Sequence, residues 1–421
     1  MKKILGLIAA AMLVLPIGAS AQTRLRDRIL ELNPLRAGAD FSVSVDNTNR
    51  DSQEGLFSIE DEHGTAHFFR GTHALNNNVI FAGHQWKILR IEGNGNIRLI
   101  YNGECPNNEC TINGIEWSDN YGMYLQTGNV MVGTSVFNTE RNHNRFVGYM
   151  FGSENGTFEE QHANTYPSTI KTFVDNWFSN NITGEDRELV VNNTRFCNDR
   201  SIADLDALSS LWGLSEIGTG LNQSLTLFGT MGRLFNHAPS LICPRAEDRL
   251  NLSIGLLTDD EAVMGGFGVY RPDLNDWNEV ISPSVFLSPG YNTETWELSY
   301  YWTMSPNSFE GGHGAVVGGV YGSEGLIYVY GITGVNDDML GVRPVLALDS
   351  NVLVTGDGSA ENPFVVTGLY EAEEENNNNE STPEETPTEV QPTSDGVMLA
   401  GYVLALTTSL FGASYVLTKR K

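Results

Sequence analysis

Two apolar segments bracket the chain, and together they decide where its folded part must live. Met1, Lys2 and Lys3 precede an uncharged apolar run from Ile4 to Ile17, followed by Gly18, Ala19, Ser20 and Ala21. A basic start, a run too short to cross a bilayer, and small residues at Ala19 and Ala21 predict a secretory signal peptide over residues 1–21, cut after Ala21. At the other end, Val397 to Leu417 is 21 residues without a charge, and Lys419, Arg420 and Lys421 close the chain. This length predicts one membrane span or sorting-signal helix over 397–417, with a basic cytoplasmic tail over 418–421. A buried core helix of that length would show a polar face at helical period, and only uncharged Thr and Ser residues interrupt the run.

Before the span, Glu371 to Asp395 carries nine acidic and no basic residues, with several Pro and Thr and an Asn run at 376–379. Such a stretch has too little apolar surface to offset its ordering entropy, so residues 371–396 are expected to form a disordered acidic stalk. What remains, residues 22–370, reads as a single extracellular domain with 43 acidic and 20 basic side chains, a net charge of −23. A surface of that sign repels phosphate backbones, so nucleic acid is not an expected partner.

The cysteines are Cys105, Cys110, Cys197 and Cys243. An even number in an exported chain predicts two disulfides, for which three connectivities exist. The short spacer between Cys105 and Cys110 favours a small closed loop there, leaving Cys197 to pair with Cys243. One C-x4-C and two isolated cysteines do not make a zinc site.

Within the domain, Ile80 to Ala82, Trp86 to Ile91 and Ile97 to Tyr101 read as strands, with Gly93, Asn94 and Gly95 at a turn. Lys87, Arg90 and Arg98 fall among the apolar positions; a wet strand face is the simpler reading, and buried arginines with acidic partners the other. Ser168 to Ser179 reads as a helix capped by Ser168, its Ile170, Phe173, Val174, Trp177 and Phe178 stripe meant for the core. After a short strand from Ile254 to Leu257, Thr258 to Met264 reads as a helix, with Asp259, Asp260 and Glu261 in its first turn. Tyr301 to Met304, Ala315 to Tyr321, Leu326 to Tyr330 and Val342 to Leu348 read as one small antiparallel sheet. The expected class is α+β, loop-rich, with few short helices.

Several strings support a resemblance: HFFRGT (67–72), FAGHQWKILRIEGNGNIRLIY (81–101), FVGYMFG (146–152), STIKTFVDNWF (168–178), FCNDR (196–200), YWTMSP (301–306) and GVRPVLAL (341–348). The set resembles an uncharacterised domain family of Gram-positive-type bacterial surface proteins. The last two strings are also similar to the end of C-type-lectin-like domains related to formylglycine-generating enzymes. The resemblance implies a lectin-like mixed fold with a small twisted sheet and long ligand-presenting loops. It further implies structural roles for Trp302 and for Arg343, the latter buried and paired with Glu261 or Asp260. The calcium-holding Glu-Pro-Asn and Gln-Pro-Asp tripeptides of sugar-binding lectins do not occur in this sequence, and its four cysteines lie outside the two strings. The tail resembles a sortase signal, with Thr393 and Ser394 at the cleavage positions and Val390 and Gln391 in place of the usual leading residues, which would make sortase and peptidoglycan partners.

Export, stalk and anchor point to a cell-surface binding protein or adhesin for a glycan or an extracellular protein. Tyr270, Trp277, Tyr291 and Trp296, in the longest irregular stretch, are the candidate ligand-binding aromatics, since aromatic rings stack on sugars at low entropic cost. Asp273, Asn275 and Asp276, followed by Asn278 and Glu279, offer oxygen ligands, which makes calcium the one cofactor the sequence suggests. A surface enzyme of the formylglycine-generating type and a purely structural envelope protein are the competing readings. No H-E-x-x-H or G-x-S-x-G motif occurs; the string Gly133 to Phe137 lacks the closing glycine.

Overall fold

The computed structural model describes residues 22–370 except 121–122, 204–224, 270–283, 291–298, 311–313, 322–325, 328–333 and 337–338. The fold is organised by one strand, His84–Ile91, in which all eight residues are buried. Its entire length pairs antiparallel with Ile97–Glu104 on one edge. The other edge is divided between two partners: Asn78–Phe81 takes the first half, and Gly64–Arg70 pairs with Arg90 and Ile91 at the end.

Two arms of the sheet therefore diverge from that shared edge. One runs through Phe364–Leu369 and Val352–Thr355 to Thr23–Arg24, the other through Gly55–Asp61 to Leu35–Arg36. On the far side of Ile97–Glu104 lie Pro344–Leu348 and Ile254–Leu256. The result is an eleven-stranded mixed sheet, with parallel pairs where Leu35–Arg36 meets Gly55–Asp61 and where Phe364–Leu369 meets Asn78–Phe81. Ala82 and Gly83 make the two-residue turn into the central strand, both at positive φ, as a primed hairpin turn demands.

A second sheet is built on Tyr300–Glu310, which pairs with Gly314–Tyr321, Leu225–Leu227 and Leu340–Gly341. The C-terminal strands thus do not form one small antiparallel sheet. They divide at Val342 and Arg343: Leu340–Gly341 joins the second sheet, and Pro344–Leu348 crosses into the large one. Proline at 344 and the buried arginine before it mark that step. The α+β class is shown, in a molecule whose sheets are far larger than the expected one.

A large apolar cluster draws side chains from both sheets, and a smaller one gathers Phe57, Phe68 and Met264. Trp302 belongs to the large cluster, fully buried, its indole N–H donating to the Ser135 carbonyl at 2.7 Å and its ring set edge-on to Phe137. Helix Thr169–Asn181 covers the core with Ile170, Val174 and Phe178, and Ser168 caps it by accepting from the Lys171 N–H. Helix Asp259–Gly265 begins with a capping box between Thr258 and Glu261 and stops at Gly266, whose φ of 123° favours glycine. Both disulfides, Cys105–Cys110 and Cys197–Cys243, are present with the expected pairing.

The wet-face reading of Lys87, Arg90 and Arg98 is overturned, because all three side chains are buried. The arginines enter the interior with carboxylates. Arg98 donates to Glu92 at 2.6 Å, Arg90 pairs with Glu261, and Arg90 also lies 3.5 Å from Glu92. Arg343 is buried, as the resemblance implied, but neither Glu261 nor Asp260 is its partner. Its guanidinium donates to the carbonyls of Tyr101 at 3.1 Å and Leu287 at 2.7 Å. It ties the large sheet to the segment after residue 284, while Asp260 answers Arg233 and Glu261 answers Arg90.

Candidate functional site

Outside both large sheets, a short hairpin of Ile115–Ser118 and Met123–Gln126 carries the most exposed tryptophan among the described residues. Its root is fixed in three ways. Asn102 and Asn113 exchange side-chain N–H bonds to each other's carbonyls at 2.9 Å, which ties the root to strand Ile97–Glu104. The Asn113 N–H in turn donates to the side-chain oxygen of Gln85 at 2.6 Å. Ile115 is buried, and Gly290, at φ +66°, lies so close to it that a Cβ there would approach within 2.6 Å.

Above this root the chain shows solvent an aromatic pair. Trp117 and Tyr124 are direct cross-strand partners, their rings edge to face with centroids 5.1 Å apart. Trp117 is 53 % exposed, and its indole N–H donates to Asp119 at 2.8 Å, which holds the ring in one orientation. An exposed indole with its polar edge already satisfied presents a preorganised flat apolar surface.

A shallow polar groove adjoins the pair. Asn47, on its wall, donates to the Tyr124 hydroxyl at 3.2 Å; Arg36, Thr48, Arg50, Asp51 and Glu54 complete the lining. The groove wall is shaped by an Asx turn in which Asp46 accepts from the Thr48 N–H at 2.7 Å and the Thr48 hydroxyl at 2.6 Å. Its charges are largely committed. Arg50 pairs with Glu54 at 2.6 Å, Glu54 accepts from Thr72 through both N–H and hydroxyl, and Arg36 donates to the Asp51 and Glu54 carbonyls. Gly71 makes room for Glu54, since a Cβ there would meet that side chain at 2.5 Å. Behind Tyr124 stands His73, ring centroids 6.4 Å apart; its Nδ1 donates to the Ser284 carbonyl at 3.1 Å, and burial lowers its pKa.

A second concave region is a charged cleft beside Cys197–Cys243, lined by Arg90, Arg98, Arg195, Arg233, Glu62, Asp199, Asp260 and Glu261 among others. Its free volume of about 40 Å³ holds a few waters at most. Arg233 lies 2.6 Å from Asp199 and 2.8 Å from Asp260, and Glu62 lies 2.9 Å from Arg249. Burial opposes the Arg233 charge, but the two facing carboxylates more than reverse this and raise its pKa. Burial likewise opposes the Glu261 carboxylate, and Arg90 with Arg98 outweighs it and lowers the pKa. These charges hold one another.

The candidate aromatics Tyr270, Trp277, Tyr291 and Trp296 and the candidate calcium ligands Asp273, Asn275 and Asp276 lie outside the described residues, as do Asn278 and Glu279. So do Ala19, Ala21, Thr393, Ser394 and the apolar run 397–417. Among the described residues, no group of three or more His, Cys, Asp or Glu is placed to hold a metal ion, and no helix is long and apolar enough to cross a membrane. Sequence reasoning missed Trp117 and Tyr124. Their signal is a polar turn flanked by aromatics, W-S-D-N-Y-G-M-Y, at 117–124. Comparison with family models, with curated proteins and with solved structures finds no match for this chain.

Proposed function

We propose that the protein is an exported, surface-held binding module that takes a glycan on the Trp117–Tyr124 face. The observation that carries this reading is the half-exposed Trp117, locked by Asp119 and braced by Tyr124 beside a polar groove. A sugar's apolar face stacks on such a ring while its hydroxyls find carbonyls, amides and carboxylates alongside, and a rigid ring adds little ordering cost. Two disulfides agree with life outside the cell.

In this reading the acidic stretch 371–396 spaces the domain from its anchor, and the run 397–417 spans the membrane or serves as a sorting signal cut at Thr393 and Ser394. The test is a glycan and extracellular-matrix array probed with oxidised residues 22–370, with calcium and with a chelator. Saturable binding to a glycan that Trp117→Ala removes supports the proposal. Binding that survives this substitution moves the site elsewhere, and its loss on chelation points to the loop around Asp273, Asn275 and Asp276.

A further inference from the structure

Lys87 and Asn78 face each other across the hairpin that leads into the central strand. They are direct partners in the antiparallel register, which sets their Cβ atoms about 5 Å apart on one face of the sheet. Each is 2 % exposed. Lys87 Nζ donates to Asn78 Oδ1, and the Asn78 amide nitrogen donates to the Gly358 carbonyl at 2.8 Å. The second bond fixes which end of the carboxamide meets the lysine. Gly358 is itself held in place: its φ is +80°, and a Cβ would come within 2.5 Å of Phe364 and 2.6 Å of the Asn76 carbonyl.

An ammonium is poorly served at this position. Among the described residues no carboxylate forms an ion pair with Lys87, unlike the neighbouring Arg90 and Arg98. Burial, and then the charge of Arg343, lowers the Lys87 pKa to about 7. Near neutral pH a large fraction is therefore free amine, a nucleophile held against a carboxamide.

We propose that Lys87 and Asn78 join in an intramolecular amide crosslink after the chain has folded. The Nζ lone pair adds to Asn78 Cγ, the Cγ–Nδ2 bond breaks, and a Cγ–Nζ amide replaces it. The proton that Nζ sheds is taken up by Nδ2, which leaves as ammonia. Amine plus primary amide gives secondary amide plus ammonia, so no oxidant, reductant or outside acyl donor is required. The link converts a buried, unpaired amine into a neutral amide and welds the central strand to its neighbour.

Mass spectrometry of the full secreted chain, fresh and after holding in mildly alkaline buffer, tests this. The expected chain is lighter by one ammonia than the processed, two-disulfide sequence requires. A new N-terminal Gln22 can cyclise with the same mass loss, so the decisive reading is at peptide level. Trypsin should fail to cut after Lys87, and because no Lys or Arg lies between residues 71 and 86, the digest should hold a single looped peptide, residues 71–90, lighter by one ammonia. Lys87→Met and Asn78→Ala should each abolish the loop and its mass loss, whereas Lys171→Met, which removes a lysine paired with Asp175, should leave both. A linear peptide of residues 71–87 at its full mass, cleaved after Lys87, in the aged wild-type protein overturns the proposal without any variant.

Discussion

The ion-pair cleft and the aromatic hairpin are the two regions where polar and ring chemistry concentrate, and they follow opposite rules. Around Arg90, Arg98, Glu92 and Glu261 the groups are charged, buried and mutually paired. At Trp117 a large apolar ring is left in water although a packed core lies close by. Buried charges are retained when partners satisfy them, and their loss is felt through the whole fold. An exposed indole held in one orientation offers a partner a flat ring that needs little further ordering. In this molecule charge marks architecture, and the exposed aromatic is the surface on which the proposed glycan site rests.

The most severe way to break that contrast is at the cleft. Glu261→Gln keeps an oxygen for the Thr258 N–H but removes the charge that faces two buried arginines, so unfolding free energy should fall by about 3–5 kcal/mol in denaturant titration. A loss below about 1 kcal/mol would mean that the cleft is solvated enough to be a ligand site after all. Replacing both Cys197 and Cys243 with serine opens a loop of sequence separation 46 on the cleft wall and should cost about 3 kcal/mol.

At the hairpin the same assay should register almost nothing. Trp117→Ala is expected to leave stability within about 0.5 kcal/mol while weakening glycan binding by about 2 kcal/mol, roughly thirtyfold. A matching loss of stability would turn the ring into an ordinary packing element.

The contrast also has a pH signature. Asp259 lies in the core against the second sheet, and burial, with the Asp260 charge adding to it, raises its pKa from 3.8 to about 7 against the opposing influence of the Thr303 hydroxyl. The folded state therefore holds this proton more tightly than the unfolded chain. Its contribution to stability is full below the unfolded value, falls as pH rises from 3.8 to about 7, and stays lost above that. The slope is about 1.4 kcal/mol per pH unit where the group is ionised in the unfolded chain and still protonated in the folded one. Comparing wild type with Asp259→Asn across this window should show the wild type losing ground as pH rises, and a constant difference would show that the carboxylate is charged throughout. The smallest effect is expected from Tyr124→Phe. It removes only the hydroxyl that accepts from Asn47, so calorimetry should show binding weakened by about 0.5–1 kcal/mol.

Local rules made much of this legible. The helix from Ser168, the capped helix at Thr258, the hairpin through Trp86 and both disulfide pairings follow from spacing, caps and turn residues, which act within a few positions of one another. The partners of Arg90 and Arg343 were not legible, because Arg90 meets Glu261 across 171 positions and Arg343 meets Tyr101 across 242. Nor was the divided edge of His84–Ile91, since a strand's pattern of side chains does not say that two different strands share one of its sides.

By itself, then, the sequence determined what short-range chemistry controls: an exported chain, two staples, and the main helices and hairpins with their buried stripes. The tertiary structure alone decided that Lys87, Arg90 and Arg98 go inside, that the final strands separate between two sheets, and that Trp117 stays outside. The physical reason is that burial belongs to the completed assembly. Whether a charge is affordable or a ring is covered depends on groups brought from distant parts of the chain, and no local pattern encodes their arrival.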